Sequence, residues 1–281
     1  MVKIFYGGVE INIMARFEDL FSPKDMTVGT PWKRIVEFSI PMLIGNIAQQ
    51  LYNTVDSIVI GRYVGDNALA AVGSALPVLH FLLVLFVAVA TGAGIMVSQY
   101  FGAKDREKLS RSIGVCITLT AIASTMLMII GPIAVRPMLA FINTPESIID
   151  WCADYLIILL VGSWGFSYFN ILSGILRGLG DSVSALMFLL ISTALNIVLD
   201  IWFVAGLNMG VSGVALATVI AQVVSAVLCA IKLRKMDSIF DLNLNMMKPK
   251  KEYVLQLLKL GLPSGLTQVI FSLAMITVQS L

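Results

Sequence analysis

Charge is scarce in this sequence. Asp, Glu, Lys and Arg make up 13% of its 281 residues, against about 25% in soluble globular chains. With 58% of residues hydrophobic and a mean hydropathy of +0.91, a two-domain soluble protein of this length is excluded. Histidine is nearly absent: His80 is the only one, which excludes a histidine-based metal site, and it reads as packing or hydrogen-bonding within the second span. Cysteine is sparse and unpatterned. Cys116, Cys152 and Cys229 are odd in number and lack C-x-x-C spacing, so they read as small buried hydrophobes. No P-loop, Rossmann glycine pattern or nucleophile elbow occurs. An ATP-driven pump therefore has no support, and the chain reads as a non-enzyme with no cofactor and no nucleic-acid partner. No signal peptide opens it either. Glu18, Asp19, Lys24 and Asp25 make residues 1–30 a polar cytoplasmic lead in which Met14 or Met26 is an alternative start.

Long apolar runs are what the chain has instead. Six are near the ~20 residues a bilayer requires: about Ile35–Ile60, Leu69–Tyr100, Ile113–Val135, Ile148–Leu172, Val183–Leu207 and Val211–Leu233. A seventh begins near Tyr253 and the sequence stops within it at Leu281. The second is long enough to be tilted or to leave the hydrocarbon. None shows period-two alternation, so a helical bundle is predicted rather than a β-barrel. The expected class is an all-α membrane protein: a lead over 1–30, a six-helix transmembrane bundle over 31–233, a cytoplasmic linker over 234–252 and an incomplete seventh helix over 253–281.

Cation placement orients the bundle. With the N-terminus in the cytoplasm, sixteen Lys and Arg fall in cytoplasmic segments, Arg177 among them, and only Arg62 and Arg136 fall on the other side. The chain also repeats itself. Arg34–Pro41 resembles Gln256–Pro263, 222 residues later, and Thr54-Val-Asp-Ser57 resembles Thr277-Val-Gln-Ser280. The basic linker Lys232–Lys251 separates the copies. Internal repeats are the plan of many secondary transporters, so a second six-helix half is expected to follow and the chain to be truncated. Gln279 is then the counterpart of Asp56, and the ionisable site belongs to the first half.

Two carboxylates sit inside these spans, Asp56 and Asp200. A charge at a bilayer centre costs roughly 2.5–3.5 kcal/mol on insertion scales, so the default reading is a buried site for a cation, a proton or a substrate; a position near a helix end that reaches water is the alternative. Asn196 and Asp200 are four apart on one helix face, bordered by Thr193. Thr218 lies in a run of small residues that permits close helix approach. The fourth span carries Tyr155 and Asn170, and the first carries Gln49, Gln50, Asn53 and Thr54. These are oxygen ligands, suited to a hard cation such as Na⁺ or to a carboxylate that takes a proton. Gluing helices together is the plainer role for Thr218 and Asn170. Pro41 removes a helix hydrogen bond and bends the first span; the bend either couples to Asp56 or is a static kink.

Gly178-Leu-Gly-Asp181 matches the G-x-G-D signature of intramembrane aspartyl proteases, but Asp181 reads as part of a short cytoplasmic turn without a facing carboxylate. The larger pattern resembles a different group. Ile40-Pro41, Asn53-Thr-Val-Asp-Ser-Ile-Val-Ile-Gly61, Gly92-Ala-Gly94 with Gln99–Asp105, and Gly174-Ile-Leu-Arg-Gly-Leu-Gly-Asp181 are similar to the multidrug and toxic compound extrusion (MATE) family. Asn196-Ile-Val-Leu-Asp200 with Gly210–Thr218 is the most specific element, and the resemblance covers roughly residues 27–281. It implies a secondary antiporter in the plasma membrane, a monomer when full length, that expels lipophilic organic cations against inward H⁺ or Na⁺. By resemblance, Asp56, Asn196, Asp200 and Thr218 are the cation or protonation site, with Na⁺ as the metal if one binds. Tyr155 and Asn170 are its polar neighbours, Gln49 and Asn53 lie nearby, and Pro41 is the bending proline. The alternatives are a flippase for lipid-linked oligosaccharides, which would want cationic residues in its cavity where no Lys or Arg lies mid-span, and a fragment that transports nothing.

Overall fold

The structure is a computed structural model that describes residues 3–6, 9–12, 29–243 and 245–279. Met14, Met26, Glu18, Asp19, Lys24 and Asp25 lie outside these. A short antiparallel pair, β1 Lys3–Tyr6 and β2 Val9–Asn12, precedes the bundle. The helices are α1 Pro31–Tyr63, α2 Asp66–Gly102, α3 Arg106–Phe141, α4 Glu146–Val161, α5 Ser163–Gly178, α6 Ser182–Asp200, α7 Gly210–Arg234 and α8 Lys251–Gln279. A six-residue π segment, Ile201–Gly206, continues α6 directly after Asp200.

Local chemistry sets the boundaries. Pro31 opens α1, where its missing N–H costs nothing. Asp105 caps α3 by accepting from the Lys108 N–H at 3.1 Å, and Asp181 caps α6 through the Ser184 N–H at 2.9 Å and its hydroxyl at 2.7 Å. Gly180 turns the chain between α5 and α6 at φ +84°, a conformation open to glycine at no steric cost.

The protein is a multi-pass helical membrane protein. Among the described residues four helices are long and apolar enough to cross a bilayer, or five if the pair α4–α5, bent by 53°, counts as one span. The sequence predicts six. The difference falls on α1, which has the length but carries Asn46, Gln49, Gln50, Asn53, Thr54 and Asp56, a polar run that lowers its hydropathy. The fourth predicted span is the bent pair, broken at Gly162, where a Cβ would collide with Val219.

Central α2 packs against α3, α4, α5 and α8, while α7 packs against α4, α5 and α6, and α1 lies chiefly on α6. Two apolar cores result. One, at the linker end, gathers Met96, Ile113, Ile175, Leu176 and Leu257. The other gathers Ile60, Val78, Leu139, Leu156 and Val214. All three cysteines are buried, while His80 is exposed on α2 rather than packed.

The linker is strapped to α3. Arg106 donates to the Asp237 and Ser238 carbonyls at 2.8 Å each and to both Asp241 carboxylate oxygens at 3.0 Å. Thr118 donates to the Met247 carbonyl at 2.8 Å. The Arg106 guanidinium holds the Asp241 carboxyl below the usual carboxylate range. A depressed folded value means that the contact is present above the unfolded pKa and is lost as pH falls through the folded one. Arg106→Ala is therefore expected to speed amide exchange over Asp237–Asp241 severalfold at neutral pH. In the parent the same release should come only at a pH below about 3.9. Hydrogen exchange read by mass spectrometry checks both.

Candidate functional site

Four helices bring polar side chains to one buried point. Tyr52 and Asp56, four apart, share a face of α1; Asn196 and Asp200 share a face of α6. Thr218 comes from α7 and Tyr155 from α4. Asn196 and Asp200 are completely buried, and Asp56 is 7% exposed.

Asn196 is the hub. With its amide nitrogen turned to the carboxylates, it donates to Asp56 Oδ1 at 2.9 Å and to Asp200 Oδ2 at 3.2 Å. Its oxygen then lies 3.4 Å from Asp200 Oδ1 and 3.5 Å from Thr218 Oγ1. The Thr218 hydroxyl accepts from the Tyr52 hydroxyl at 2.9 Å, which leaves its own proton for the Asn196 oxygen. The two carboxyls are themselves within hydrogen-bond contact, and Tyr155 is near enough to feel the charge of both. Two carboxylates this close cannot both be ionised without a positive charge between them. A proton on one oxygen satisfies the cluster. So does a monovalent cation held by the Asp, Asn and Thr oxygens, which form a donor set for a hard ion. Among the described residues no three His, Cys, Asp or Glu gather into a metal cluster, so any cation here relies on the amide and hydroxyl oxygens as well as the two acids.

The remaining sequence candidates lie elsewhere. Pro41, Gln49 and Asn170 line a separate cavity of about 500 Å³ between α1, α2, α5 and α6. It sits toward the linker end, seven residues before Asp56 on α1 and before Asn196 on α6, which is about 10 Å along each helix. The Asn170 amide donates to its own helix, at the Phe166 carbonyl, 2.8 Å away. Asn53 belongs to neither place: it is exposed and donates to Gln50 Oε1 at 3.4 Å. Thr193 bonds back to the Leu189 carbonyl. Asp181 is buried, but as the cap of α6 with Lys232 Nζ 3.5 Å away, a structural ion pair rather than half of a catalytic dyad.

Two placements differ from those read in the sequence. Tyr52, not among the polar residues read in the first span, is a full member of the cluster; its spacing of four from Asp56 is the signal that points to it. Arg177, placed in a cytoplasmic segment, stands in the last turn of α5 and lines the cavity. The helix continues to Gly178, so the side chain turns inward. Its presence removes the argument that no cation faces the cavity.

Tyr52→Phe deletes one donor to Thr218 and leaves both carboxyls in place. A neutral hydrogen bond is worth about 0.5–1.5 kcal/mol, so cation or proton affinity should fall by roughly two- to tenfold. Titrating ion-induced tryptophan fluorescence against the parent checks this.

A family model described as MatE matches residues 41–202. The chain is 31% identical over 257 residues to "Probable multidrug resistance protein YoeA" of Bacillus subtilis, covering 89% of this chain and 55% of that protein. It is 27% identical to "Multidrug export protein MepA" of Staphylococcus aureus, covering 85% and 53%. The chain thus spans about half the length of the curated relatives it matches. A solved structure described as the "outward-facing conformation of a multidrug resistance MATE family transporter of the MOP superfamily" superposes with a TM-score of 0.82 at 33% identity, over 88% of this chain and 55% of that one.

Proposed function

The chain belongs to the MatE family, and from that premise we propose that it supplies the ion-coupling half of an antiporter that exports lipophilic organic cations in exchange for inward H⁺ or Na⁺. The observation that carries this reading is the meeting of Asp56 and Asp200 on the single amide of Asn196. Burial of both acids costs several kcal/mol unless a positive charge is supplied. The site therefore has two states, loaded and unloaded, that differ by one positive charge, and a gradient of that charge across the membrane biases between them. Tyr155, Tyr52 and Thr218 complete the first half's coordination, and residues 31–233 act as the lobe that moves as a unit. The second lobe expected from the internal repeat supplies the opposing wall, against which this one rocks. The relatives named as multidrug export and resistance proteins support a drug cargo.

By the positive-inside rule the N-terminus and the 234–252 linker lie in the cytoplasm, and the protein acts as a monomer in the plasma membrane. Reconstitution tests the reading. A two-lobe protein carrying these residues, placed in liposomes, is expected to move tetraphenylphosphonium in response to an imposed Na⁺ or pH gradient. Movement that follows neither gradient overturns the coupling assignment. Comparing the two gradients identifies the ion.

A further inference from the structure

The cavity between α1, α2, α5 and α6 has a charge balance of its own. Arg177 is the sole charged residue among those lining it; no Asp, Glu or Lys contributes. Among the described residues nothing anionic lies beside the guanidinium, whose charge is felt by the buried Cys229 thiol. Asp181, one turn further on, is committed to Ser184 and Lys232. Arg177 is enclosed by protein on its inner sides and keeps part of its surface toward the cavity. A planar cation with five donors held this way, without a side-chain hydrogen bond or ion pair among the described residues, is a group waiting for an anion.

A second group points the same way. Gln222 lines the same cavity, and its Oε1 is buried without a partner among the described residues. Ser98, Ser173 and Ser182 also line it, and Met42, Ile95, Leu186 and Leu189 supply an apolar wall. A volume of about 500 Å³ is that of a small-molecule site. The close crossing of α5 on α2 fixes Arg177 in place: a Cβ at Gly178 would come within 2.7 Å of the Gly94 carbonyl, and one at Gly174 within 2.9 Å of the Ala90 carbonyl.

We propose that this cavity binds the anionic group of an amphiphile, with the phosphate or carboxylate on Arg177 and the tail against Met42, Ile95, Leu186 and Leu189. The site is distinct from the Asp56–Asn196–Asp200 cluster and does not depend on which ion drives transport. The same chemistry is offered by a membrane phospholipid and by an anionic amphiphile taken up as cargo.

The test uses the 281-residue chain in a neutral maltoside detergent and two probes with one tail and opposite heads, dodecyl phosphate and dodecyltrimethylammonium. Calorimetry should show the phosphate binding about tenfold tighter or more, since hydrogen bonds to charged groups are the stronger kind. Arg177→Gln should erase that preference, and Arg177→Lys, which keeps the charge without the fork, should retain part of it. Equal binding of the two heads by the parent overturns the proposal, whatever the variants do. So does an undiminished preference in a monodisperse Arg177→Gln. Inorganic phosphate competing as well as dodecyl phosphate overturns the amphiphile. Native mass spectrometry then separates the sources: a retained phospholipid displaced by dodecyl phosphate identifies a membrane lipid, and the same preference with no retained lipid identifies a cargo. Both support the site.

Discussion

Asp200→Asn is expected to bring gradient-driven efflux down to background in a two-lobe protein carrying these residues, with membrane abundance unchanged. Asp200 is completely buried and accepts from the Asn196 amide through Oδ2 at 3.2 Å. Removing one partner of a buried charged pair costs about 3–5 kcal/mol, which is a loss of about 100-fold or more in affinity for the driving cation. An uncharged isostere, by contrast, eases rather than hinders insertion into the bilayer. Abundance and activity therefore separate, and that separation identifies a coupling role. Resistance to a lipophilic cation in a pump-deficient strain, measured beside immunoblotted membrane abundance, reads both quantities. Efflux at the parent level with normal abundance would make Asp200 a structural group.

The parts of this site that were legible in the sequence are those with a high energetic cost. A carboxylate within an apolar run has few explanations, so Asp56 and Asp200 stood out, and the spacing of four drew in Asn196. Thr218 was visible because of the small residues around it. Tyr52 was not, because a tyrosine in a membrane helix is ordinary until its hydroxyl has a partner, and only the fold supplies Thr218. The π segment after Asp200 leaves no mark in Ile-Trp-Phe-Val-Ala-Gly, since i→i+5 and i→i+4 bonding place no different demand on such residues; yet π turns recur at functional sites, and this one begins at the acid. Arg177 is not legible as a cavity residue for a local reason: the Gly-Leu-Gly-Asp that follows it is turn-forming, whereas the helix runs on to Gly178. The glycines at 92, 94, 174 and 178 were legible as a pattern, and their physical reason, backbone-to-backbone approach of α2 with α5 and α8, emerges from the packing.

The same packing leads to the second large effect, at the join between α8 and the bundle. The sequence assigns α8 to the start of the next lobe, yet it lies along α2. Gly261 is pressed against the Ala88 carbonyl, a Cβ on Gly92 would come within 2.5 Å of the Leu257 carbonyl, and one on Gly265 within 2.8 Å of Ala88 Cβ. These are pairs of small residues four apart on facing helices, an arrangement that lets two membrane helices touch through their backbones. On that contact rest the complete burial of Leu257 and a 2.7 Å hydrogen bond from the Tyr100 hydroxyl to Gln256 Oε1. Gly261→Leu drives a side chain into backbone that cannot move aside. Overpacking costs about 1–3 kcal/mol where side chains can adjust, and here the obstacle is main chain, so the helices should part instead. Tyr100→Cys with Gln256→Cys reports it, since the two parent side chains touch and the native cysteines, Cys116, Cys152 and Cys229, are buried away from reagent. Crosslinking should be nearly complete in the double-cysteine parent and fall about tenfold when Gly261→Leu is added, whereas Leu262→Ala, on the exposed face of α8, should leave it unchanged. Full crosslinking in the Gly261→Leu background would mean that α8 does not depend on this glycine contact for its place on α2.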